Sequence, residues 1–432
     1  MAKKCLGALL ATAIVLFAGC SVSEPANSVP IVPASSVSQS ADSSMEGSAA
    51  PISLRLLSKG GNGAIGVSTS NGYYELTTIG DTASNILYTD FATHSRIFLC
   101  NRPDCKHQDE SCTSFVEGWG SLFLMNDKLC MIHYGNTDIT APDAERMTRV
   151  YSMNYDGSQR TELFAMDPSL TVFGGMVTDE ENLYFMGIIL DTKDPDKQTP
   201  ALIKVDFSTG AYTALQEYSY PPYIGGVMEN CLILEDAYEK NGEFIFQYST
   251  LSIPDCTQTV FFESPIQCTV QDNQVYQLDV AQRVIHVISP KTGEATSWPL
   301  DMDVSETDYI QGGSHEVQLP GYTSFSASSP DSDTDKKYLI ELATGKTAPV
   351  RLTYTWYDGR EKPIYILAVP NEDTLLVINR CELTQMNYLS EGSMITHDML
   401  RSYYAFLPFD DYLNSVPNYT PVDDMLGELF LK

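Results

Sequence analysis

Four stretches of this chain share one design: an alternating apolar strand, a tight turn ending in glycine, and a strand returning. Tyr151–Leu163 turns at Asp156-Gly157, Ala201–Leu215 at Thr209-Gly210, Val284–Trp298 at Thr292-Gly293 and Tyr338–Leu352 at Thr344-Gly345. Glycine adopts positive φ at no steric cost, so such a pair between alternating apolar residues marks a hairpin. The four glycines lie 53, 83 and 52 residues apart. The middle interval holds two shortened units, the first with a degenerate turn near Pro254-Asp255. Two hairpins repeated every roughly 40–50 residues are the pattern of four-stranded sheets arrayed around a ring. Tandem β-sandwiches would not readily repeat this unit at this spacing.

The fold class that follows is all-β, a single β-propeller of four-stranded blades, with seven blades expected and six or eight as the neighbouring counts. The units read as Gly63–Leu76 with Ile86–Cys100, Ser121–Tyr134 with Val150–Phe164, Val172–Ile188 with Ala201–Leu215, Tyr223–Asp236 with Phe244–Phe262, Pro265–Val280 with Val284–Pro299, Tyr309–Ser326 with Lys337–Leu352, and Ile364–Arg380 with Ser402–Pro408. No long segment holds a 3.6-residue period. Each sheet buries both faces only against its neighbours, so the ring must close. Ile52–Leu57 is expected to close it by pairing with the last blade.

The N-terminus reads as an address. Lys3-Lys4 precede the apolar stretch Leu6–Phe17, which is too short for an ordinary membrane span, and Phe17-Ala18-Gly19-Cys20 sets small residues before a cysteine. This segment resembles the lipobox of bacterial lipoproteins, with Phe17 where leucine is usual. The resemblance implies a signal peptide over 1–19 and a lipid-modified Cys20, anchored to the cell membrane on its extracytoplasmic face. Residues 20–51 continue as a flexible Ser/Pro-rich tether, with ten Ser and three Pro between 21 and 50. The propeller domain is expected over 52–432.

The composition is 43% hydrophobic and 19% charged, which excludes global disorder. The formal charge of −30 becomes −32 once Lys3 and Lys4 are removed. That balance repels nucleic acid and anionic surfaces, so no nucleic-acid partner is expected.

Three cysteines and a histidine crowd one loop, Cys100, Cys105, His107 and Cys112 (CNRPDCKHQDESC). Three thiols and one imidazole are a tetrahedral Zn²⁺ ligand set, although C-x4-C-x-H-x4-C is not a standard finger. Outside the cytosol a disulfide is the competing reading, and an odd cysteine would then need a distant partner such as Cys130 or stay free. Either would staple a long connection between blades.

Other clusters are weaker. Asp331, Asp333 and Asp335 alternate as in a calcium loop, yet Lys336 replaces the required glycine and Leu342 the required glutamate. Asp301, Asp303, Glu306 and Asp308 read as a solvated acidic run. Gly345-Lys346-Thr347 lacks the upstream glycine of a phosphate loop, and Gly313-Ser314-His315 is no nucleophile elbow. His94, His133, His286, His315 and His397 are scattered. The 25 tyrosines, Tyr218, Tyr220 and Tyr223 among them, suit sugar-stacking platforms but suit strand cores better.

Gly72-Tyr73-Tyr74, the stretch ILYTDFATHSRIFLC, the cysteine loop and Met153-Asn154-Tyr155-Asp156-Gly157 together resemble a group of uncharacterised propeller lipoproteins of anaerobic Gram-positive bacteria. The resemblance implies a fold and a location, and carries no activity. The function expected is therefore a cell-surface module binding an extracellular ligand or partner without catalysis. The alternative is an extracellular hydrolase or lyase using paired carboxylates in the central channel on a polysaccharide.

Overall fold

The computed structural model describes residues 52–426 apart from 60–65, 79–82, 139, 192–193, 195–196, 313–316, 330–334 and 391–392. Seven antiparallel sheets form a ring of blades. Blade one runs outward as Gly66–Ser68, Gly72–Thr78, Ala83–Asp90 and Ser95–Phe98. Blade two spans Gly120–Met125 to Thr161–Ala165, blade three Leu170–Thr178 to Tyr212–Glu217, and blade four Tyr223–Met228 to Gln258–Ser264. Blade five spans Thr269–Gln271 to Ala295–Pro299, and blade six Tyr309–Gly312 to Thr347–Val350. Blade seven is Tyr365–Asn371, the long hairpin Thr374–Ser390 with Ser393–Pro408, and Thr420–Pro421. The blade count is the one the hairpin repeats predict; blade seven differs from its expected bounds, its middle hairpin running on to Ser390 and back from Ser393 and its fourth strand, Thr420–Pro421, lying past Pro408.

The turn glycines have the backbone their positions demand, with φ of 77° at Gly157, 73° at Gly210, 70° at Gly293 and 73° at Gly345. In blade four the glycine is missing, and Cys256 takes the left-handed conformation instead, at φ 54°. That substitution is why the repeat looks degenerate there.

Seven apolar cores join successive blades. Phe123, Ile132 and Phe164 of blade two pack with Phe185 and Ile203 of blade three. Val177 and Tyr184 meet Ile224 and Leu234 across the next junction, and Ile233 and Tyr248 meet Val270 and Val275 across the one after. Tyr276 and Ile285 face Phe325 and Tyr338, and Leu339 faces Ile366 and Val377. Tyr73 of blade one packs with Leu376, Tyr404 and Phe406 of blade seven. Tyr74 and Ile86 then complete the circle against Leu122 and Met131. At about 25 cal/mol per Å² of apolar surface buried, these junctions are the main source of stability, and none exists unless both blades are present.

Ring closure differs from the expectation. Blade seven has four strands of its own, so Ile52–Leu57 does not complete it. Arg55–Ser58 lies instead in the central channel and pairs antiparallel with the inner strand of blade three, Arg55 opposite Thr178 and Leu56 opposite Val177. Burial decides this placement: Leu54, with Ile52 and Leu56 beside it, joins the core between blades three and four. The closing strand comes from the other end, where Asp423–Asp424 adds in parallel to the outer strand of blade one, Asp423 opposite Ser95. Among the described residues no helix is long and apolar enough to cross a membrane. The lipobox, Cys20, the tether, His315 and the Asp331 and Asp333 carboxylates lie outside the described residues.

Candidate metal centre

The cysteine loop is an excursion from one strand. Blade one's outer strand ends at Phe98, the chain leaves over 99–114, and Phe115–Glu117 pairs back onto Ala83–Asn85 of the same sheet before blade two begins. The loop thus interrupts blade one's edge and is not a free crossover.

Its four chemistry-bearing side chains converge. One ligand atom from each of Cys100, Cys105, His107 and Cys112 lies within 4.8 Å of every other. A tetrahedral Zn²⁺ with Zn–S near 2.3 Å would bring the sulfurs to roughly 3.8 Å apart, a short closing movement. His107 Nδ1 already lies 3.2 Å from Cys112 Sγ. Among the described residues this is the one group of three or more potential ligands that meets in this way.

The surroundings hold the loop in place. Asn85 Nδ2 donates to the carbonyl of His107 at 3.1 Å, fixing a residue that itself sits at φ 55°. The His107 ring stacks on Phe98, with centroids 4.2 Å apart. Ser114 Oγ lies 2.9 Å from both Asn85 Oδ1 and the Ile86 carbonyl, and its N–H donates to Cys112 Sγ at 3.3 Å. Thr113 Oγ1 donates to the carbonyl of Leu99 at 2.7 Å, tying the two ends of the loop together. Arg160 of blade two donates to the carbonyls of Phe115 and Thr113.

The titration directions suit ligation. Burial, with the charge of Arg102, lowers the pKa of His107 and keeps its imidazole neutral. At Cys100 burial raises the thiol pKa, but the Arg102 N–H, the Cys112 and Cys105 thiols and the Thr113 hydroxyl outweigh it and bring it below its ordinary value. Burial pushes Cys112 up to about 12, and a coordinated cation would deprotonate it.

Cys100, Cys105 and Cys112 form no disulfide among the described residues. Cys130, named as a distant disulfide partner, belongs to the core between blades two and three, with its Sγ 3.9 Å from the Met125 carbonyl.

Among the described residues the remaining sequence candidates form no further cluster of potential ligands. The His94 ring packs against Phe406 at 4.3 Å, tilted by 30°, and His286 Nδ1 lies 2.9 Å from Ser297 Oγ. Asp303 pairs with Lys336 at 3.2 Å, and Asp308 accepts from the Ser305 N–H. Gly345-Lys346-Thr347 is the outer hairpin turn of blade six. Tyr218 is half-buried and Tyr220 exposed.

The channel holds a feature that the sequence does not signal. Lys59, following the channel strand, crosses to donate to the Val270 carbonyl of blade five at 2.6 Å. Burial lowers its pKa to about 8, against the opposing influence of Asp272 and Glu235. Glu235 is buried, accepts from Gln267 Nε2 at 2.8 Å and Tyr248 Oη at 3.3 Å, and burial raises its pKa. Beside the strand, a cavity of about 190 Å³ carries one carboxylate in its lining, Asp272.

No family model matches the chain, and no curated protein is similar to it in sequence. Solved structures do resemble it. A puromycin-hydrolyzing peptidase of Mycobacterium tuberculosis is similar over 88% of this chain and 55% of its own, with a TM-score of 0.50 and 9% identity. A puromycin hydrolase covers 81% of this chain and 58% of its own, with a TM-score of 0.43 and 10% identity. An oligogalacturonate lyase of Vibrio parahaemolyticus covers 76% and 89%, with a TM-score of 0.41 and 10% identity. This chain spans a little over half the length of the two hydrolases. At such identities the likeness is one of fold.

Proposed function

We propose that this protein is a lipid-anchored propeller on the extracytoplasmic face of the cell membrane, which binds a ligand or partner through loops at one face of the ring and performs no catalysis. The observation that supports the reading is the strand inside the ring, Arg55–Ser58, paired to the inner edge of blade three. A propeller hydrolase or lyase built on channel carboxylates needs two convergent acids beside a roomy pocket. Here the chain's own strand occupies the channel, Glu235 is engaged by Tyr248 and Gln267, and the adjoining cavity is below the size of ordinary ligand sites.

The cysteine loop serves this reading as a structural Zn²⁺ site. Four protein ligands leave no open position for substrate, so the ion would rigidify the loop and do no chemistry.

The test is turnover on polygalacturonate and peptide amide pools alongside a glycan and small-molecule binding screen. Binding without turnover supports the proposal. Turnover abolished by one Asp or Glu substitution overturns it. Separately, Cys20→Ala is expected to abolish incorporation of an alkynyl fatty acid and release the protein from the membrane fraction; unchanged labelling would refute the anchor.

A further inference from the structure

Between blades one and two lies a second cavity, of about 730 Å³, within the range of small-molecule sites. Its wall is a row of tyrosines with Tyr74 in the middle. The Tyr74 ring centroid is 4.8 Å from that of Tyr88 and 6.1 Å from that of Tyr155. Tyr155 is 38% exposed, so part of the wall is open to a ligand. Leu99 and Cys100, at the stem of the metal loop, also line it.

The charge in this lining is of one sign. Asp127 and Asp156 are present, and no lysine or arginine is. Lys128, next in the chain and outside the lining, directs its ammonium to Asn154 Oδ1 at 2.6 Å and offsets part of the charge of Asp156, leaving Asp127 as the unmatched carboxylate. Asp127 makes no side-chain hydrogen bond to the described residues, and Asp90 sits behind Tyr88, its Oδ2 3.1 Å from the hydroxyl. Burial raises the pKa of Tyr74 to about 12, so its ring stays neutral.

An anion is repelled by this lining. A neutral sugar could stack on the rings and donate hydroxyls to the carboxylates, but it would leave their negative charge unmatched. A cation answers both features, through the faces of the rings and through the carboxylates. We propose that this pocket binds a small organic ammonium compound, and that the metal loop shapes its wall. The inference rests on the binding-module reading but fails separately from it, because selectivity and turnover are independent measurements.

The experiment is calorimetric titration of the full-length protein with choline, with spermidine, and with 3,3-dimethylbutanol, the uncharged isostere of choline. The expected result is binding of at least one cation, about tenfold or more tighter than the isostere. Tyr155→Ala and Asp127→Asn, both at exposed positions, should each weaken it about fivefold with thermal unfolding unchanged. No heat from either cation at about 10 mM, or equal binding of the isostere, overturns the proposal. So does a neutral sugar that binds in a Tyr155-dependent but Asp127-independent way.

Discussion

The Tyr404 hydroxyl of blade seven donates to Glu75 Oε2 of blade one at 2.5 Å, across 329 residues of chain. Glu75 Oε1 in turn pairs with Arg96 Nη2 at 2.7 Å, and the Arg96 guanidinium lies 4.0 Å over the Tyr404 ring. All three side chains are buried. They sit on the seam where the first and last blades meet, so this triad latches the ring.

Breaking the latch should cost more than the pair itself contributes, because the partner is left charged and buried. Arg96→Ala is expected to lower unfolding free energy by about 3–5 kcal/mol, and Tyr404→Phe by about 1–2 kcal/mol. Urea midpoints at unchanged slope would show it. A loss below about 1 kcal/mol for Arg96→Ala would mean that the seam tolerates an unpaired Glu75.

Gly157 separates backbone strain from packing. A Cβ there would fall 3.0 Å from both Leu99 Cγ and the Leu99 carbonyl oxygen, at φ 77°. Gly242, at φ 85°, has nothing within 4 Å. Gly242→Ala should cost about 1–2 kcal/mol from φ alone. Gly157→Ala should cost at least about 1 kcal/mol more, since the stem of the metal loop must shift. Equal losses in thermal or chemical unfolding would contradict the contact.

Metal content tests the cysteine loop directly. Purified protein should carry about one equivalent of zinc, released by a chelator with a fall in Tm of about 3–5 °C. Cys112→Ser should lose the metal and Cys130→Ser should keep it, because Cys130 lies in another core. Elemental analysis showing no bound metal, together with a Cys100–Cys112 or Cys100–Cys105 disulfide by mass spectrometry, would replace ligation with bridging.

Lys59 should leave a signature in alkali. Its folded pKa of about 8 lies below the ordinary 10.5, so between those values the unfolded chain binds more protons and stability rises with pH. Relative to Lys59→Met, the wild type should gain up to about 3 kcal/mol from below pH 8 to above pH 10.5. Taking the difference removes the opposing effect of the buried thiols and tyrosines. A pH-independent difference would place the ammonium in solvent.

Strand pairs and turns were legible because a hairpin is local: alternation and a glycine within fifteen residues specify it, as Gly210 and Gly293 illustrate. The turn at Cys256 was not, since its left-handed φ has no compositional mark. The Cys100–Cys112 ligand set was legible for the same local reason, although Asn85 and Ser114, which hold it, were not. Tyr74, Tyr88 and Tyr155 read only as strand residues, because two blades must pack before they share a wall.

From the residues alone came the all-β class, the seven-unit repeat and the clustering of three thiols with one imidazole, each encoded within a short window by side-chain period or spacing. Folding in three dimensions chose the edge that Arg55–Ser58 joins, brought Asp423 beside Ser95, and set Glu75 against Arg96 and Tyr404. Those choices depend on which apolar surfaces and strand edges remain uncovered once the blades have assembled. That is a property of the closed ring, and no single stretch of chain contains it.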